Sequence, residues 1–258
     1  MKIGKPLMVV LCFSSIILII LDCFIIYKVR KDSQTMSDYS LTLSHNAENT
    51  TNTTNTTNTT DTSTSEKDFY YEPLSEDIIH KISGVSFTEN DTISLDDLRH
   101  VVVKYVDFEN NTRTGELIVN KAVADDVVDI FKELYDASYQ IEKIRLIDEY
   151  NGSDDASMED NNSSAFNYRN IDGTNELSDH SLGLAIDINP LYNPYVRTGM
   201  GDRDILPVNA TMYADRAADF SHKIQKGDVC YNAFISRGWK WGGDWSSPID
   251  YQHFYKTT

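Results

Sequence analysis

Ser178-Asp179-His180-Ser181-Leu182-Gly183-Leu184-Ala185-Ile186-Asp187-Ile188-Asn189-Pro190 sets a histidine and an aspartate on either side of a short apolar run. Leu184, Ile186 and Ile188 alternate with Ala185 and Asp187, the period of a strand with one apolar face and one face kept small around a carboxylate. On this reading Asp187 points into space that Gly183 and Ala185 leave open. Asn189-Pro190 ends the strand, because proline has no N–H to donate and restrains the residue before it. His180 lies just upstream, where a short bend brings its imidazole beside the Asp187 carboxylate.

A second segment near the C-terminus, Gly238-Trp239-Lys240-Trp241-Gly242-Gly243-Asp244-Trp245 followed by Asp250-Tyr251-Gln252-His253-Phe254, supplies another histidine and another carboxylate. His180, Asp187 and His253 make a ligand set for a divalent zinc: two neutral imidazoles and one carboxylate leave a net positive charge and a fourth tetrahedral position for water. Zinc in such sites lowers the pKa of that water from about 15.7 to about 7. A structural site would be closed by four ligands, usually thiolates, and the three cysteines do not allow one: Cys12 and Cys23 lie in the apolar N-terminal run and Cys230 stands alone. The same count excludes a disulfide within the soluble part.

Asp250, three residues before His253, is the candidate general base, a carboxylate near the metal but not bound to it. The plainer reading of Asp250 is a turn or cap residue. Arg169, in Phe166-Asn167-Tyr168-Arg169, carries a permanent charge suited to an oxyanion or a substrate carboxylate; its plainer reading is an ordinary ion-pair partner. His45, His80, His100 and His222 read as surface or hydrogen-bonded residues.

Ser178-x-His180-x-x-Gly183-x-Ala185-x-Asp187 with Asp250-x-x-His253-Phe254 resembles the VanY-type zinc D-alanyl-D-alanine carboxypeptidases, a family that also holds the peptidoglycan L-alanyl-D-glutamate peptidases. The resemblance runs from about Leu146 to Tyr255. It implies that His180, Asp187 and His253 bind Zn2+, that Asp250 is the catalytic base and that Arg169 stabilises the transition state. Ser178 matches a position at the substrate cleft, with a structural hydroxyl as the other reading. The implied fold is α+β, a hedgehog/DD-peptidase-like antiparallel sheet with flanking helices that floors a zinc cleft. The implied reaction is D,D-carboxypeptidase cleavage of peptidoglycan stem peptides, with L-Ala-D-Glu endopeptidase cleavage or a non-catalytic wall-binding domain as the alternatives. An acidic stretch, Asp148 to Asp160, makes the match looser around Arg169 than at the ligands.

The 258 residues allow one good-sized domain with appendages. Residues 1–31 read as an uncleaved signal-anchor transmembrane helix: Pro6 to Tyr27 is almost wholly apolar and of spanning length, and no small-residue cleavage site follows it. Residues 32–67, with the Asn-Thr-Thr repeat of Asn49 to Thr60, offer nothing apolar to bury and read as a disordered tether. Residues 68–258 then form the peptidase domain, displayed outside a membrane that it joins through a single span. The net charge of −17 excludes a nucleic-acid partner, which requires a basic footprint.

Within the domain, Phe69 to Ser94 reads as strand and turn pieces. His100 to Phe108 and Glu116 to Val119 read as a β-hairpin. A helix follows from about Lys121 to Asp136, capped by Asn120, with Val123, Val127, Ile130, Phe131 and Leu134 on its apolar face. Ile144 to Ile147 reads as a buried strand, and Arg197 to Ala210 as a loop rimming the cleft. Tyr213 to Ile224 and Val229 to Ser236 read as short helices, the second stopped by Gly238. Trp239, Trp241 and Trp245 read as strand residues.

Overall fold

The computed structural model describes residues 68–199 and 201–257. The apolar segment and the Asn/Thr tether read from the sequence lie outside the described residues. In chain order the elements are β1 (Tyr70–Pro73), α1 (Glu76–Ile82), β2 (Leu98–Val106), β3 (Thr112–Asn120), α2 (Ala124–Asp136), β4 (Lys143–Ile144), α3 (Asp154–Glu159), β5 (Asn162–Ser163), β6 (Ala185–Asp187), β7 (Tyr195–Val196), β8 (Ile205–Leu206), α4 (Val229–Ile235), β9 (Lys240–Trp241), β10 (Ile249–Asp250) and β11 (His253–Tyr255), with short 3-10 helices between them. Mixed helices and largely antiparallel strands match the α+β expectation.

The hairpin β2–β3 is the scaffold. Its register runs from Leu98 opposite Asn120 to Val106 opposite Thr112. Alternation sends the two faces to different cores. Val101, Val103, Leu117 and Val119 enter the main core with α2, while Leu98 and Ile118 enter a smaller cluster with Ile82 and Phe166. The turn is shorter than expected because Asp107 organises it. Its carboxylate accepts from the N–H groups of Glu109 and Asn111, at 3.0 and 2.8 Å, and from Arg113 Nε at 2.6 Å.

Helix α2 starts three residues later than expected, at Ala124. Asn120 does cap, but it caps a turn: its Oδ1 accepts from Ala122 N at 3.0 Å and its backbone carbonyl from Val123 N at 3.0 Å. The predicted apolar face of α2 is fully buried. Burial of each such large side chain is worth about 1.5–3 kcal/mol.

Four further expectations are corrected. Tyr213 to Ile224 is a run of turns, not a helix. The Asp215 carboxylate takes the Ala217 N–H at 3.0 Å, and Arg216 donates to the carbonyls of Tyr192 and Ile224 at 2.8 Å each, so side chains satisfy backbone groups that a helix would pair internally. Ile144 to Ile147 is strand only at its start, giving way to a 3-10 helix at Ile147–Tyr150. Of the three tryptophans only Trp241 lies in a strand; Trp239 and Trp241 are buried in the core and Trp245 is partly exposed. The N-terminal region also contains a helix, α1, where strand and turn pieces were expected.

The sheet β6–β11–β9 carries the site. Ile186 lies opposite Phe254, and both face the main core. There the Phe254 ring stacks on Phe234 of α4, with 4.1 Å between centroids. Asp187 and His253, the next pair along, therefore project from the other face.

Candidate metal centre

Asp187 and His253 are directly opposed across two antiparallel strands, which brings their side chains together whatever their separation in sequence. His253 Nδ1 lies 3.1 Å from Asp187 Oδ1. The second imidazole arrives from the 3-10 helix Asp179–Leu182, just before β6. His180 Nε2 lies 3.2 Å from Asp187 Oδ2 and 3.2 Å from His253 Nδ1. All three residues are buried, and one ligand atom from each falls within 4.8 Å of the others.

The turn that carries His180 is fixed on several sides. Ser178 Oγ accepts the His180 N–H at 3.3 Å, capping the turn; this is the structural of its two readings. Ser181 Oγ donates to the Arg169 carbonyl at 2.5 Å and accepts the Arg169 N–H at 2.8 Å. Gly183 closes the turn at φ +65°, and a Cβ on it would lie 2.5 Å from the Asn120 backbone nitrogen. That glycine does not leave space around Asp187, as the sequence suggested. It lets the turn dock on the end of β3, where Asn120 N–H donates to the Gly183 carbonyl at 2.9 Å.

The donor set fits a divalent metal. His180 Nδ1 sits 2.5 Å from the carbonyl of Ala165, which fixes Nδ1 as the N–H and leaves the Nε2 lone pair facing the cluster. Burial works against charge on Asp187, but the two histidines outweigh it and hold its carboxyl well below the usual range. Burial likewise opposes charge on His253, yet the Asp179 and Asp187 carboxylates push it up to about 10. The pocket thus already favours a positive charge among these side chains, and a bound cation would supply it in place of the proton.

Asp250 stands beside this group on β10, paired with Tyr195 of β7. Its Oδ1 is shut off from solvent and has no hydrogen-bond partner. Burial, with the nearby Asp187 charge adding to it and the histidines opposing it, pushes the Asp250 carboxyl up to about 7. Gly242 makes the approach possible: a Cβ there would meet the Asp250 carbonyl oxygen at 2.7 Å and the His253 Cβ at 3.3 Å.

Arg169 is not in contact with the three converging side chains. Its guanidinium pairs with Asp154 in the first turn of α3 and reaches the Asn170 carbonyl at 3.5 Å. Its ion-pair reading is therefore realised, while the backbone of Arg169 is laced to the His180 turn.

Sequence reasoning missed the groups that hold the ligands. These are the Ala165 carbonyl behind His180, the Asp179 carboxylate 3.7 Å from His253 Nε2, and the Trp245 and Tyr255 rings packed against His253 at centroid distances of 5.6 and 5.5 Å. Asp179 and Trp245 sit inside the quoted segments and Tyr255 just past the last of them, but nothing in their spacing shows which nitrogen or ring they meet.

Residues 172–256 match the family model described as D-alanyl-D-alanine carboxypeptidase, which bears out the resemblance carried by the two motifs. The match is to a peptidase family, and it spans Ser178, His180, Asp187, Asp250 and His253 while beginning after Arg169. No curated protein and no solved structure matches the chain.

Proposed function

We propose that this domain is a zinc-dependent peptidase of bacterial cell-wall peptidoglycan that removes the terminal D-alanine from stem peptides. The observation that carries the reading is the convergence of His180, Asp187 and His253 with the Asp250 carboxylate beside them, one oxygen of which, Oδ1, is buried without a hydrogen-bond partner. His180 Nε2, Asp187 and His253 Nδ1 would hold the zinc. Bound there, zinc would polarise a scissile carbonyl and acidify water.

The chain's own groups complete the chemistry. Asp250 takes a proton from the attacking water and passes it to the departing amine. Its buried Oδ1 and raised proton affinity suit it to hold that proton between the two events. Arg169, partly exposed and paired with Asp154, would serve the developing oxyanion or the substrate carboxylate by exchanging that partner for the substrate. Ser178 acts by capping the His180 turn.

Residues 1–31 serve in this reading as a single-pass membrane anchor and 32–67 as a tether that lets the domain sample the wall outside the membrane. The test of the reaction is product analysis on a defined pentapeptide stem. Release of free D-alanine supports the D,D-carboxypeptidase. Cleavage after L-alanine would reassign the bond, and tight stem binding without any cleavage would favour a wall-binding domain.

A further inference from the structure

The two imidazoles present opposite nitrogens to one point, His180 through Nε2 and His253 through Nδ1. A neutral histidine that offers one nitrogen as a lone pair carries its proton on the other, and that N–H calls for an acceptor when the ring is buried. For His180 the acceptor is the Ala165 carbonyl at 2.5 Å. For His253 the nitrogen left over is Nε2, and the carboxylate facing it is Asp179, with Oδ2 at 3.7 Å. The Asp179 side chain is 42% exposed, so it has freedom to close that gap by a rotamer adjustment. The His253 ring does not share that freedom: it is buried and packs against Trp245 and Tyr255, which also pack on each other, the Tyr255 hydroxyl taking the Trp245 indole N–H at 3.1 Å.

From this geometry we infer that Asp179 is a positioning residue of the metal centre, accepting the His253 Nε2–H so that Nδ1 stays unprotonated and aimed at the metal. The inference rests on the ligand reading given above and deepens it. One 3-10 turn thereby delivers a ligand, His180, and the support of the opposite ligand, His253. It also adds a second side-chain link between the turn and β11, beside the approach of His180 to His253. Asp179 touches neither substrate nor metal, and its effect is exerted through His253.

The test compares Asp179→Ala and Asp179→Asn with wild type in the full domain. Zinc affinity is read by competition with a chromophoric chelator, thermal melting is read on the metal-free proteins, and the imidazole N–H signals are read by nitrogen-15 NMR with zinc bound. Loss of such a supporting partner typically weakens a metal by about 10–100-fold. Asp179→Ala should therefore lose zinc affinity in that range, with only a modest fall in metal-free melting temperature as the His253 imidazolium loses one of its two carboxylates, and its His253 Nε2–H signal should be lost to solvent exchange. Asp179→Asn keeps an acceptor oxygen, and should recover much of the affinity and the protected signal. Should Asp179→Ala fold poorly, the Asn variant and the wild-type Nε2–H signal decide the matter by themselves. An alanine variant that binds zinc as wild type does, or a wild-type Nε2–H that exchanges freely, overturns this inference alone. A wild-type protein that binds no zinc overturns the ligand reading along with it.

Discussion

Asp250 is the residue on which hydrolysis and mere binding part company. Its Oδ1 is buried without a partner, an arrangement that costs stability and that a purely structural turn residue has no reason to keep. Asp250→Asn should retain the fold and the zinc, because the amide is nearly isosteric and no ligand is removed. Turnover should still fall by about 10² to 10⁴, the usual contribution of general acid–base catalysis, with stem-peptide affinity changed far less. Steady-state rates at matched zinc occupancy check this, and near-normal turnover would move the base role to another group. The convergence of His180, Asp187 and His253 with Asp250 nearby was legible because each side chain's chemistry is written in its identity and its spacing within a short motif. Arg169 was legible only as a charge; that it would lie against Asp154 depends on where α3 folds, which no local pattern encodes. Asp179 was overlooked for the same reason, since its partner His253 is far away in sequence.

Among the elements, the β2–β3 hairpin and the His180 turn that docks on it bear most of the structural argument. Burial disfavours the charged form of Asp107, yet its bonds from Arg113 and Asn111 bring its pKa down to about 2. That lies below the unfolded value of about 3.9, so the ionised turn adds stability in full above about pH 4 and loses it as pH falls through about 2. Thermal melts across that range should show a steep acid limb in wild type and a shallower one in Asp107→Asn, which should also melt lower at neutral pH. Equal acid limbs would mean that the turn does not depend on the carboxylate. At the other end of β3, Gly183→Ala combines a positive φ with a methyl placed against the Asn120 backbone. It should destabilise the domain by at least about 1–3 kcal/mol and weaken zinc binding through the displaced His180; denaturant titration and metal competition would read the two effects. Periodicity revealed the hairpin, the buried face of α2 and the β6 strand, because burial on one face imposes it. It did not reveal the turns after Tyr213, where Arg216 and Asp215 satisfy the backbone through side chains, nor the delayed start of α2, where Asn120 caps a turn in place of the helix.

For the whole molecule, the sequence divides an acidic domain from an apolar N-terminal segment and an Asn/Thr spacer, and the account places the domain outside the membrane. Protease added to intact protoplasts should release the domain by cutting the spacer. Protection of the domain until lysis would put it on the inner side. The fold class was legible from the two motifs together with alternation, whereas the pairing of β6 with β11 across most of the domain's second half was not, since the alternation that marks β6 says nothing of its partner and the three residues of β11 carry no comparable pattern. That pairing is what joins Asp187 to His253, and the central claim is that the resulting triad holds a catalytic zinc. The most direct measurement follows zinc content and hydrolysis of a pentapeptide stem together in wild type and His253→Ala. The account predicts zinc bound by the wild type, free D-alanine released, activity removed by chelation and restored by zinc, and both metal and activity lost in the variant. Full zinc occupancy in His253→Ala, or wild-type hydrolysis indifferent to zinc removal, would contradict it.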